Sequence, residues 1–178
     1  MSLLPIRTHG DPVLSTPTQE IKNIDGRIAA LAQSMLETMY AAPGVGLAAN
    51  QIGVSQRIFV YDDGNGPGVV INPQIIEKSG EYHFEEGCLS VPGHSWEIMR
   101  PDKVHLVGFD LDGNELDIEA DQYLGRIFQH ETDHLDGFLL IDRLDPPELQ
   151  QKVKKMLRKQ HIEIDSASKD SQRNIFGK

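Results

Sequence analysis

The stretch QHETDHLDG, residues 129–137, restricts what this chain can fold into more than any other part of it. His130 and His134 stand four residues apart. On a helix, both imidazoles therefore project from one face toward one point, and neutral imidazole suits Zn²⁺ or Fe²⁺. Glu131 follows the first histidine, close to that point but angled off it, where a general base for a metal-activated water belongs. A catalytic ion needs a third protein ligand, so the fold has to bring a second segment across this helix face. The alternative is a surface helix with two incidental histidines, and a Glu and two His fixed on an otherwise apolar-faced helix argue against it.

The third ligand separates the possible chemistries. A metzincin-type continuation would require a histidine where this chain has Leu140, although Gly137 stands at the right offset. A thermolysin-type site would use a later glutamate, and Glu148 or Glu163 qualifies by position alone. The remaining candidate is the single cysteine, Cys88, in EEGCLSVPG, where Gly87 permits a bent or close backbone. A lone cysteine is ordinarily a small buried hydrophobe. Beside an incomplete histidine pair, Cys88 is the expected third ligand, giving a His₂Cys set with an open fourth position.

The surrounding pattern predicts an α+β fold, with antiparallel or mixed strands around a central motif-bearing helix. Ile28, Leu31, Ala32, Met35, Leu36 and Met39 recur at helical spacing over Asp25–Ala41, and Gly44 and Gly46 follow as terminators. Strand-like runs occupy 57–61, 69–76, 81–86 and 103–110, and the DLDGN turn at 110–114 predicts a hairpin returning through 115–120. Asp121 and Gly137 are the expected caps of the motif helix, and 146–160 reads as a last helix with Leu149, Val153, Met156 and Leu157 on one face. A length of 178 residues with 39% hydrophobic content predicts one catalytic domain over 1–162, followed by a loosely ordered polar tail over 163–178. The net charge of −10 argues against DNA or general nucleic-acid binding through a basic surface. The absence of a signal-like or membrane-length apolar run predicts a cytoplasmic protein without membrane attachment.

Three separated stretches, GVGLAANQ at 44–51, EGCLS at 86–90 and QHETDH at 129–134, resemble the signature motifs of the peptide deformylase family, in the family's order. The likeness extends from GDP near residue 10 to about residue 145. It implies that Cys88, His130 and His134 hold one divalent metal, with Fe²⁺ the working ion and Zn²⁺, Ni²⁺ or Co²⁺ possible in purified protein. It implies hydrolysis of the formyl group from the formyl-methionine of nascent bacterial polypeptides, releasing formate. Glu131 would carry the proton, the Gln51 side-chain amide and the Leu89 backbone N–H would face the formyl oxygen, and Gly46 would pair with the peptide as an added strand. On the residues alone, without the other motifs, Gly44 and Gly46 read as a helix cap and turn.

The methionine side chain would need an apolar slot. Ile127 and Tyr123, three and seven residues before His130, share the ligand face, and Val45 and Phe84 come from the other motifs; all four could equally be core. Where some family members have an arginine seven residues beyond the cysteine, this chain has Ser95, which leaves the preference beyond methionine open. Asp133 reads as a carboxylate near the ligands or at the surface, and His9, His83, His94, His105 and His161 as surface or hydrogen-bonded histidines, with His94 nearest in sequence to Cys88. Lys152, Lys154, Lys155, Arg158 and Lys159 against Asp145 and Glu148 reverse the local sign of an acidic chain. That helix, 146–160, is either a ribosomal RNA contact or a solvated face with a Glu148–Lys152 pair. A metallopeptidase and a structural metal module are the competing functions. Glu131 disfavours the second, and Cys88 with Gln51 and Leu89 disfavours the first.

Overall fold

The computed structural model describes residues 3–160. Contacts divide the chain into two compact units, Met1–Leu140 and Ile141–Lys178. His161, Glu163 and the expected tail at 163–178 lie outside the described residues.

In the first unit, helix α1 spans Gly26–Ala41 and starts where the Asp25 side chain accepts hydrogen bonds from the Arg27 and Ile28 N–H groups. Its buried stripe is Ile28, Ala32, Met35 and Met39. Seven strands follow: β1 Gly46–Ala48, β2 Ile58–Asp62, β3 Pro67–Ser79, β4 Tyr82–Gly87, β5 Ser95–Arg100, β6 Lys103–Phe109 and β7 Glu115–Asp121. They form a five-stranded sheet in the order β1-β2-β3-β6-β7 and a separate β4–β5 ribbon, and every strand pair is antiparallel. The motif helix α2 spans Gln122–Leu135.

Alternation along the strands divides the apolar side chains between the two faces of the large sheet. Ile58, Val60, Leu47 and Ile71 join the stripe of α1 in one core. Phe59, Val70, Val104 and Leu106 pack with Phe128 and Leu135 of α2 in another. Phe128 is fully buried and meets Tyr61 edge-on, with ring centroids 5.0 Å apart. Truncating a buried ring of this kind to Ala costs about 3–5 kcal/mol. The α+β fold and the hairpin at 110–114 are as expected, and Asp110 closes that turn by accepting from the N–H groups of Asp112 and Asn114.

Several boundaries differ from the sequence reading. Asp121 occupies the cap position of α2, but its side chain makes no capping hydrogen bond. Gly46 opens strand β1, and α1 has already ended at Ala41. Strand β5 was not anticipated. Gly137 follows α2 at φ 83°, the left-handed conformation that lets glycine close a helix without strain.

In the second unit, helix α3 occupies 147–160. Val153 and Leu157 are buried, whereas Met156 is 37% exposed and does not belong to the apolar stripe. An ion pair within this unit joins Lys154 to Asp142 at 2.5 Å, in place of the expected Glu148–Lys152 contact. No helix among the described residues is long and apolar enough to cross a membrane.

Candidate metal centre and active site

Positions 123, 126, 127, 130 and 134 recur at helical spacing along one face of α2. Strand β4 runs past that face and delivers Cys88 just beyond its end. Among the described residues, Cys88, His130 and His134 are the one group of three potential ligands whose donor atoms all lie within 4.8 Å of one another. Cys88 Sγ is 3.3 Å from His134 Nε2, which is 3.2 Å from His130 Nε2. A thiol and two imidazole nitrogens converging at this spacing fit a divalent transition ion such as zinc or iron. Glu148 is not part of the group.

His130 is oriented from behind. Its Nδ1–H donates to Glu86 Oε2 at 3.0 Å, which leaves Nε2 facing the cluster. Glu86 in turn accepts from Arg100 Nε at 2.6 Å, from Arg100 Nη2 at 3.0 Å and from Arg126 Nη1. Burial alone would raise the Glu86 pKa, but the hydrogen bonds from His130 and Arg100 and their charges hold it well below the usual carboxylate range. Burial and the neighbouring His130 hold His134 in its neutral form, with a lone pair available for a ligand bond. At His130 burial also opposes the cation, but hydrogen bonds with Cys88 and Glu86 outweigh it and raise the pKa.

Glu131 is 4% exposed, and burial pushes its pKa up to about 7 against the opposing charge of His130. Its Oε2 is buried without a hydrogen-bond partner among the described residues. Gln51 is fixed at both ends of its amide: Oε1 accepts from the Ala48 N–H at 2.9 Å, and Nε2 donates to Ser90 Oγ at 3.2 Å while lying 3.9 Å from Cys88 Sγ. The Leu89 N–H has no partner among the described residues. These groups open onto a cleft of about 670 Å³, also lined by Gly46, Val45, Phe84, Tyr123, Ile127 and Arg126.

The sequence profile of the polypeptide deformylase family matches residues 3–150. The chain belongs to that family. A peptide deformylase from Halothermothrix orenii is 49% identical over 146 residues, covering 81% of this chain and 95% of that protein. The crystal structure of peptide deformylase from Thermus thermophilus superposes with a TM-score of 0.85 at 40% identity, over 93% of this chain and 99% of that one. The corresponding figures for the Thermotoga maritima enzyme are a TM-score of 0.80, 44% identity, 82% and 100%. The activity is therefore peptide deformylation: a metallo-hydrolase removes the formyl group from the N-terminus of formylated polypeptides.

Within this deformylase, Val45, Phe84 and Tyr123 are 42%, 39% and 39% exposed, so they are cleft walls and not core, whereas Ile127 is buried. Phe84 meets Tyr123 edge-on at 5.9 Å. His94 lines the cleft stacked on Trp96 and is not in the ligand group. His83 and His105 pair with Glu97 and Asp117, and Asp133 accepts from Arg100. Sequence reasoning missed Arg126, which is 3% exposed, donates to the Tyr82 carbonyl at 2.5 Å and stands over the Tyr82 and Phe84 rings. The signal was available, because Arg126 lies four residues before His130 and so on the ligand face. It also missed Glu86, where strand alternation from Phe84 would have pointed a carboxylate at α2.

Proposed function

We propose that Cys88, His130 and His134 hold a single divalent ion, ferrous iron in the working enzyme, with zinc, nickel or cobalt able to replace it after purification. One thiolate and two imidazoles support this choice, since that donor set accepts all four. When bound, the ion supplies Lewis acidity at the formyl oxygen and lowers the pKa of water at the site.

Glu131 takes the proton of the attacking water and passes it to the departing amine nitrogen, so that formyl amide and water become formate and a free α-amino group. The Gln51 amide and the Leu89 N–H donate to the formyl oxygen as negative charge builds on it. Gly46 bonds the peptide backbone as an added strand, while Val45, Phe84, Tyr123 and Ile127 hold the methionine side chain. Glu131 Oε2 is the observation that carries this reading: a buried carboxylate oxygen beside the ligand group, with no hydrogen-bond partner among the described residues, has room for a proton that arrives and leaves. The test is formate release from a short formyl-methionyl peptide by anaerobic, iron-loaded protein, alongside Glu131→Gln and an unformylated peptide. The expected result is formate from the wild type, metal retention without turnover in Glu131→Gln, and no internal cleavage. Loss of metal from that variant would reassign Glu131 as a ligand.

The substrates are formyl-methionyl chains leaving the ribosome, so the setting we propose is cytoplasmic. The exposed cations Lys152, Lys155, Arg158 and Lys159 of α3 support a contact with ribosomal RNA phosphates. Changing Lys154, Lys155 and Arg158 to Glu should abolish salt-sensitive co-sedimentation with ribosomes, and an unaltered bound fraction would remove that role from the helix.

A further inference from the structure

Glu85, Pro92, Gly93, His94 and Ser95 line the cleft beyond the ligand group and form its lip. The charges that line it are not equivalent. Glu86 and Arg126 are buried against each other, and Glu131 is buried beside His130. Glu85 alone among the lining carboxylates is exposed. Its neighbours on the outer face of the β4–β5 ribbon do not neutralise it: Glu97 lies directly across from it in register, and His83 contacts Glu97 at 3.6 Å. Glu85 has no cationic partner among the described residues, yet it is not a free rotor, because Ser95 Oγ donates to its Oε1. The lip therefore carries an oriented, unmatched negative charge, held by Ser95 at the position where some family members have an arginine.

We propose that Glu85, steadied by Ser95, selects for a basic residue following the formyl-methionine and against an acidic one. The inference rests on the reading above, in which the formyl group lies at the ligand group and the peptide leaves along Gly46 toward the lip. A lysine or arginine side chain is long enough to carry its charge to an exposed rim group while its stem lies along the apolar wall. A rim charge of this kind acts on binding and not on bond breaking, is screened by salt, and amounts to about two- to five-fold in kcat/KM.

The experiment compares formyl-Met-Lys-Ala, formyl-Met-Glu-Ala and formyl-Met-Ala-Ala as substrates for the iron-loaded wild type, Glu85→Gln and Glu85→Lys. The wild type should favour the lysine peptide over the glutamate peptide by about two- to five-fold, chiefly in KM, and lose the preference in high salt. Glu85→Gln should bring the ratio near one, and Glu85→Lys should invert it. A wild-type ratio that is unchanged in Glu85→Lys overturns the assignment of Glu85. Absence of formate even from formyl-Met-Ala-Ala would instead overturn the underlying placement of the substrate, and the proposal with it.

Discussion

A β-carbon on Gly46 would stand 2.7 Å from the carboxyl carbon of Glu131 and closer still to its Oε1. Strand β1 and helix α2 therefore meet with the Glu131 carboxylate pressed onto bare backbone, and only glycine leaves it room. Gly46→Ala should displace the carboxylate by a large fraction of an ångström and reduce kcat/KM by about 10²-fold. Metal content per chain should be unchanged, because the three atoms nearest the added methyl all belong to Glu131 and none to a ligand. Wild-type turnover in this variant would show that Glu131 tolerates displacement.

The Glu86 carboxylate is where Arg100, Arg126 and His130 converge. Glu86→Gln leaves the buried Arg126 guanidinium without a carboxylate and Arg100 with Asp133 alone, and a loss of about 3–5 kcal/mol is expected. Arg126→Met leaves Glu86 gripped by both Arg100 donors and fills the same volume, so its loss should be distinctly smaller. Urea denaturation of the two variants checks the order, and the reverse order would mean that Arg126 carries the cluster.

Gln122 opens α2 at φ 45°, a left-handed conformation that is strained for a residue with a β-carbon. Its side chain is exposed, so little packing is at stake. Gln122→Gly should stabilise the protein by about 1 kcal/mol, part of the strain relief being offset by the freer unfolded chain. For a protein of this size that is a rise in Tm of about 2–4 °C, measurable by calorimetry. A lower Tm would locate an unseen contribution in the glutamine side chain.

His105 Nε2 lies 2.6 Å from Asp117 Oδ1 across β6 and β7, and that hydrogen bond, aided by Glu77 and Glu119, raises its pKa above the ordinary 6.5. Folding therefore favours the imidazolium. The contribution is complete below the unfolded value and disappears as pH rises through the folded one. An NMR titration should show the His105 midpoint falling toward its ordinary value in Asp117→Asn, and an unmoved midpoint would assign the shift to other neighbours.

The elements that alternate or recur cleanly could be read from sequence: α1 from its apolar stripe, the β6–β7 hairpin from its aspartate turn, and the ligand pair from its four-residue spacing. Strand β5 was hidden because its pattern is inverted, with Met99 half exposed and Arg100 buried. Hydropathy assigns both residues to the wrong side. Strand β1 was hidden by its length, since three buried residues show no period. Cys88 as third ligand could be argued by elimination, but the buried ionic cluster behind His130 could not. Its members come from β4, β5 and α2, and no local spacing records that they meet.

Strand β1 is the margin of the five-stranded sheet, it has only three residues, and its Gly46 lines the cleft. A guest chain laid along such a margin would be recognised through its main chain, which is the same in every protein. An enzyme that bound its substrates this way would gain breadth from this indifference to residue order, and the charge proposed at the lip would add only a bias. So short a margin also offers few bonds to break, so each visitor can leave before the next one arrives.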